Sequence, residues 1–293
     1  MARALRHVAL PVWYLAGLAG LVVVHGLVQR DAWLGTAAWL GVVTLASALL
    51  FALEMLGPRW LADDDDGAAA YLRAQLERVS RGYSARHRAA FLGQALLCWM
   101  LCGLATVVLA HWLGAWLLRS SVTLRSAADV VIAWPPRVRV LVAFVLLDAW
   151  SYARHRIEHA NGERGVLWRL VHRWHHTPTE IDLWTGMVVH PIEAVLVFAV
   201  PCAALAALGF ERWELSFLFT QFLMITMPQH MNSGWTAGAL GAVIHGPEAH
   251  TRHHSTDPAI RNANFGDCLT VWDRIFGTYR KPPPDVFQGP YGP

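Results

Sequence analysis

Apolar residues in this chain gather into long blocks instead of spacing themselves along one face of a helix. Residues 8–28, 34–56 and 89–118 each hold about the 20 apolar positions that carry a helix across a bilayer. Each block is too long for a core strand. Residues 138–150, 192–210 and 213–229 extend the pattern, the first reaching spanning length only if its helix runs on into the polar segment behind it. Six crossings are predicted. The block at 8–28 exceeds the roughly 7 to 15 apolar residues of a secretory signal, and no small-residue cleavage site follows it, so it reads as a retained span. The predicted fold class is all-α, a multi-pass membrane helical bundle with a cytoplasmic histidine-rich helical cap. It forms a single membrane domain over residues 1–293: amino-terminal transmembrane helices and loops in 1–137, a histidine-rich catalytic region in 138–280 and a carboxy-terminal tail in 281–293.

Composition agrees with a membrane class. Charged residues make up 15% of the chain and hydrophobic residues 55%, against roughly 25% charged in ordinary soluble domains. The net charge of +3 is spread through the loops as arginine, which suits a membrane surface and predicts no nucleic-acid partner. Arginine also sets the orientation, because short cytoplasmic loops are enriched in positive charge. Arg3 and Arg6 precede the first block, and Arg59, Arg73, Arg78, Arg81, Arg86 and Arg88 lie in the second loop, whereas the first turn offers Arg30 alone. The amino terminus and second loop are therefore expected in the cytoplasm, with Arg119, Arg125 and Arg137 as a smaller opposing group. Asp63 to Asp66 read as a solvated loop. Cys98, Cys102, Cys202 and Cys268 show no paired spacing and read as packing residues.

The chemistry is concentrated in the histidines. Of 15 in the chain, eleven lie between His155 and His254. "HRIEH" places His155 and His159 at i and i+4 on one helix face, "HRWHH" places His172, His175 and His176 at i, i+3 and i+4, and "HTRHH" repeats this at His250, His253 and His254. Pro178 closes the second cluster, while Pro247 and Glu248 open the helix of the third. With the predicted crossings, all three clusters meet on the cytoplasmic side. Neutral histidine is the commonest metal ligand. Eight such ligands exceed the four of one tetrahedral zinc, so two metal ions fit the count better. Imidazole suits zinc, copper, iron and nickel alike. The first cluster departs from H-E-x-x-H, so a peptidase is a weak fit.

Five segments, "DAWSYARHRIEH", "LWRLVHRWHH", "HPIE", "HMN" and "HTRHHSTDPAIRNANFGDCLTVWDRIFGTY", resemble in order the fatty acid hydroxylase and sterol desaturase superfamily of integral-membrane di-iron proteins. The resemblance covers roughly residues 148–279. It implies that His155, His159, His172, His175, His176, His250, His253 and His254 bind a metal pair, with His190 of "HPIE" and His230 of "HMN" as ninth and tenth ligands. His245 matches no box of the family and is expected to support a ligand or lie at the surface. Phe265 stands where the family more often has tyrosine.

Metal-bound histidines usually donate their second ring N–H to a carboxylate or carbonyl. Asp148, Glu158, Asp257 and Asp267 are the expected partners, with Asp182, Glu193 and Asp273 as further candidates, and "WDR" reads as an internal ion pair. The resemblance further implies two iron ions, with zinc able to replace them on isolation, O2 as co-substrate and a membrane lipid such as a fatty acyl chain or sterol as substrate. Phe144 and Trp150 could line its slot. The chain has no flavin, haem or iron–sulfur motif, so electrons are expected from a cytochrome b5-like protein, a ferredoxin or a reductase. Two other readings use the same histidines: a zinc-dependent membrane hydrolase, and a non-enzymatic histidine-rich metal-binding membrane protein. Transport predicts ionisable residues deep in the spans, and apart from His25, His111, Glu54 and Asp148 these are nearly absent.

Overall fold

The computed structural model describes residues 10–15, 45, 49, 111–178, 181, 183, 186, 188–231 and 236–282. The predicted spans 8–28, 34–56 and 89–118 lie outside the described residues apart from 10–15, 45, 49 and 111–118. Among the described residues the secondary structure is helical, with one isolated antiparallel bridge between Ile244 and Leu269.

The first helices are α1 (His111–Ser120) and α2 (Val122–Ile132). Ser121 separates them, its Oγ accepting a hydrogen bond from the Leu124 N–H at 3.2 Å, which occupies one donor of the new helix end. Pro135 and Pro136 then open α3 (Pro136–Glu158), the proline at N1 giving up a backbone N–H that would be unpaired in any case. At 23 residues α3 is the longest helix of the group, and it does continue from the apolar block at 138–150 into the polar segment behind it. Its two halves differ. The first exposes Leu141 and Leu146, while the second buries Asp148, Ser151, Tyr152, Arg154, His155 and Glu158.

The block at 192–210 is not one α-helix. It is divided into α5 (Pro191–Ala194), a π-helical turn (Val195–Ala199) and α6 (Val200–Ala207), after the short α4 (Val166–Leu170). Pro201 has no N–H to donate four residues back, and its ring would clash with that carbonyl, so the wider turn falls directly before it. The block at 213–229 forms α7 (Arg212–Thr226), which Pro228 follows in a tighter 3-10 turn, Met227–His230. Glu211 and Glu214 form a capping box at its start. Among the described residues no helix is long and apolar enough to cross a membrane.

The core joins α3, α6 and α7. Ala143 and Leu147 pack with Cys202, Leu205 and Ala206, and with Leu218, Phe219 and Phe222. Gly114 in α1 permits the close approach to α6, since a Cβ there would lie 2.5 Å from Ala206 Cβ and 2.6 Å from the Ala203 carbonyl oxygen. An ion pair crosses this apolar layer: Arg139 of α3 donates from Nε to Glu214 Oε1 of α7 at 2.8 Å, both residues buried. Residues 10–15 are helical and pack through Leu10 and Tyr14 against Met231 and Ala237.

Asp148 ties the carboxy-terminal segment to α3. Its carboxylate accepts from the Cys268 N–H at 2.8 Å, the Leu269 N–H at 3.2 Å and Trp272 Nε1 at 2.8 Å. The remaining helices are α8 (Pro247–His253), α9 (Pro258–Arg261) and α10 (Val271–Ile275). Asp273 in α10 is also buried, accepting from the N–H groups of Phe265 at 2.8 Å and Gly266 at 2.7 Å and from Thr278 Oγ1 at 2.7 Å. The expected ion pair within "WDR" is replaced by this cap, because Asp273 turns inward to backbone donors while Arg274 turns out over the Tyr279 ring at 4.1 Å.

Candidate metal centre

Four helical ends bring the histidines together: the last turns of α3, the 3-10 turn His172–Trp174 that follows α4, the 3-10 turn ending α7, and the end of α8. They form two buried groups. His155, His159, His172, His176 and His253 make one, and His175, His230, His250 and His254 make the other, with ligand atoms inside each group within 4.8 Å of one another.

The division follows helical geometry. Residues four apart share a face, while adjacent residues diverge by about 100°. His250 and His254 of α8 therefore enter the four-histidine group and His253 turns to the other; around the 3-10 turn His172–Trp174 the structure makes the same division, with His172 and His176 in the five-histidine group and His175 in the other. The neighbouring rings of His175 and His176 cross at 85°, and those of His253 and His254 at 83°. Each adjacent His–His pair thus gives one ring to each group.

Hydrogen bonds fix the ring orientation. Phe265 O lies 3.0 Å from His155 Nδ1, Val188 O 3.1 Å from His175 Nδ1, Ala263 O 3.0 Å from His253 Nδ1, and Glu193 Oε1 2.8 Å from His172 Nδ1. These acceptors require the proton on Nδ1, which leaves a lone pair on each Nε2 facing inward. In the four-histidine group the Nε2 atoms run from His175 to His230 at 3.2 Å, on to His250 at 2.9 Å and to His254 at 3.0 Å. A neutral ring nitrogen holds one hydrogen or one lone pair, so three consecutive contacts cannot all be linear hydrogen bonds. A cation accepting the lone pairs resolves them. The ligand atoms of each group stand close enough together for one ion to accept them. The residues fit a metal pair.

Burial also sets the charge state. Desolvation, followed by neighbouring imidazoles, pushes His155, His172, His176, His250 and His254 well below the usual histidine range. For His175 burial lowers the value to about 4, and for His253 to about 3. The rings are therefore neutral and ligand-ready at neutral pH.

Behind the five-histidine group lies a network that sequence reading named only in part. Arg154, buried in α3, donates to Glu158 one turn on, to Glu193 at 3.3 Å and to Asp267 at 3.4 Å. Burial opposes its charge, yet these three carboxylates hold it protonated. His172 Nδ1 is 3.4 Å from Glu158 Oε2, and His155 Nδ1 is 3.7 Å from Asp267 Oδ1. Trp168 was also missed: its ring meets His159 at 4.7 Å and His176 at 4.9 Å, with the Arg261 guanidinium 4.9 Å from its centroid. The spacing 168, 172, 176 and the pair Arg154–Glu158, both i and i+4, were the available signals.

Not every expected residue joins the site. His190 stands outside both groups, because it caps α5, its Nδ1 accepting the Ile192 N–H at 3.2 Å and its ring lying against Trp174. Asp257 is exposed, and its carbonyl starts α9 by accepting from the Ile260 and Arg261 N–H groups. Asp148 serves the backbone of residues 268 and 269 and the Trp272 indole. His245 is fully buried, 6.1 Å from His250 between ring centroids and outside both groups, so the surface alternative is excluded for it. Gly186 lies against His230, where a Cβ would stand 2.8 Å from Nδ1. Asp182 lies outside the described residues.

Residues 140–278 match the family model described as fatty acid hydroxylase. The chain is similar to an ornithine lipid hydroxylase of Rhizobium tropici (28% identical over 150 residues, 51% of this chain and 44% of that protein). It is also similar to a sphingolipid C4-hydroxylase of Schizosaccharomyces pombe (27% over 151 residues, 50% of each chain). A delta(7)-sterol 5(6)-desaturase of Gibberella zeae is 26% identical over 150 residues, 51% of this chain and 44% of that protein. The matched segment thus spans half or less of each relative's length. No solved structure matches the chain.

Proposed function

We propose that this chain, whose residues 140–278 belong to the fatty acid hydroxylase and sterol desaturase superfamily, is an O2-dependent oxidoreductase that hydroxylates, or desaturates, an alkyl chain of a membrane lipid. The observation that carries this reading is the pair of buried imidazole groups with converging Nε2 atoms. His155, His159, His172, His176 and His253 would hold one iron ion, and His175, His230, His250 and His254 the other. Imidazole suits iron, and the bound pair supplies the O2 and C–H chemistry.

The protein's own contribution is position, charge state and dryness. Nδ1 anchors at Phe265, Val188, Ala263 and Glu193 keep lone pairs aimed inward. Burial keeps the rings deprotonated and excludes water from the reacting centre. Arg154 ties Glu158, Glu193 and Asp267 into one outer layer behind the ligands. Hydroxylation consumes O2, an electron pair and two protons, one oxygen atom leaving as water. The electron pair comes from a separate redox protein, a cytochrome b5-like protein, ferredoxin or reductase. Long apolar blocks in the sequence and the lipids named for the relatives support an integral-membrane location, and the arginine-rich amino terminus and second loop support histidines on the cytoplasmic side.

The test is comparative lipid mass spectrometry of cells with and without the gene, with His176→Ala as the control, alongside metal analysis of protein prepared without oxygen. The expected result is an O2-dependent lipid product 16 mass units heavier for hydroxylation, or 2 lighter for desaturation, absent in His176→Ala. Unaltered lipids together with zinc and no iron would reject the reading. Activity without O2 or reductant would favour the zinc hydrolase.

A further inference from the structure

The two histidine groups are built differently. In the five-histidine group three rings have anchored Nδ1 atoms: His155 on Phe265 O, His172 on Glu193 Oε1 and His253 on Ala263 O. The His172 anchor is a carboxylate, which Arg154 holds in place from 3.3 Å, and Glu158 stands 3.4 Å from the same Nδ1. The Nδ1 atoms of His159 and His176 in this five-histidine group, and of His250 and His254 in the four-histidine group, are buried without a hydrogen-bond partner, and His175 is anchored on Val188 O, so the anchors that set the five-histidine group apart are its three held rings and above all the carboxylates at His172. Ring anchoring and ligand number both act on metal affinity. An anchor fixes tautomer and direction before the ion arrives and raises ligand basicity, and loss of one outer partner typically costs about 10- to 100-fold in affinity.

We propose that the two groups are unequal metal sites: the five-histidine group, backed by Glu193, Glu158 and Arg154, is the tight, first-filled site, and the four-histidine group is the exchangeable one. Glu193 is its positioning residue, acting on the metal through His172. This rests on the reading of both groups as iron sites. Filling is therefore ordered. An ion entering the chain settles first under His172, and the second equivalent is the one that oxidation, chelation or another metal removes.

The experiment uses the full chain, stripped of metal, reloaded without oxygen with ferrous iron alone and challenged with a chromophoric chelator while release is followed by absorbance. The wild-type protein is expected to release two equivalents in two phases, the slow one at least about 10-fold slower. Glu193→Gln is expected to accelerate the slow phase by about 10- to 100-fold and leave the fast phase unchanged. His254→Ala is expected to lose the fast equivalent and keep the slow one. Release of both equivalents from the wild-type protein in one phase, an unchanged slow phase in Glu193→Gln, or loss of the slow phase in His254→Ala would each overturn the proposal. Should Glu193→Gln fail to fold by circular dichroism, the wild-type and His254→Ala records still decide. A wild-type protein that takes up no iron would overturn the di-iron reading itself, whereas two equal equivalents would overturn this inference alone.

Discussion

His190 and His250 show how the same side chain divides by environment. His250 Nε2 lies 2.9 Å from His230 and 3.0 Å from His254, while His190 accepts a backbone N–H at a helix start. His190→Ala is therefore expected to retain bound metal and to cost about 1 kcal/mol as a lost cap. His250→Ala is expected to lower metal content by one equivalent. Metal analysis of both variants beside a thermal melt separates the outcomes, and equal metal loss in both would mean that His190 reaches the site. Asp148 makes a different kind of contribution. Its side chain satisfies the N–H groups of Cys268 and Leu269 and the Trp272 indole, and a buried donor left unpaired costs about 1 to 3 kcal/mol. Asp148→Ala should thus destabilise the protein by about 3 kcal/mol and loosen residues 265–279, seen as faster amide exchange in that segment. Exchange unchanged there would remove Asp148 from this role.

Among the helices, the most informative contact is the Arg139–Glu214 pair between α3 and α7. Removing one partner of a buried pair strands the other charge and costs about 3 to 5 kcal/mol, whereas removing both is far milder. Arg139→Met should lower stability by about that amount, and Arg139→Met with Glu214→Gln should recover much of it, Gln keeping an acceptor for the start of α7. Chemical denaturation of Arg139→Met, Glu214→Gln and the double variant beside the wild type measures this, and simple additivity would show that the pair is not coupled. The same helices show where sequence pattern is informative and where it is not. Period-four spacing placed His155 with His159, His172 with His176 and His250 with His254, and the structure joins each pair in one group. The split of His253 from His254 between groups was implicit in the 100° step between neighbours of an α-helix, whereas that of His175 from His176 was not, because His172–Trp174 is a 3-10 turn. Pro201 announced a break, but a proline alone does not distinguish a kink from a π turn, and apolar block length did not foresee it. Pairings such as Asp148 with Cys268 and Arg154 with Asp267 span more than a hundred residues. No local spacing encodes them, so the outer layer of the site was legible only as a pool of acids.

Across the whole molecule, collecting this many neutral imidazoles in one dry volume couples metal, pH and folding. An unfolded histidine takes up a proton near the ordinary value of about 6.5, while His175 in the folded protein waits until about 4 and His253 until about 3. Folded values lie below unfolded ones, so between them the unfolded state binds more protons and stability falls as pH falls. Their contribution is complete above about 6.5 and is lost on the way down, each such group adding a slope of roughly 1.4 kcal/mol per pH unit within its window. Because His155, His172, His176, His250 and His254 shift in the same direction, the slopes add, and the metal-free protein is expected to lose its melting temperature steeply from pH 6.5 to pH 4. Metal on the lone pairs competes with the same protons, so loaded protein should hold its melting temperature to lower pH and then lose metal and structure together. Melting curves across that range, taken on metal-free and iron-loaded protein with released iron measured in parallel, check both halves. A metal-free protein whose stability is flat or rises toward pH 4 would show that the rings are not buried neutral, and the ligand assignment would fall with it.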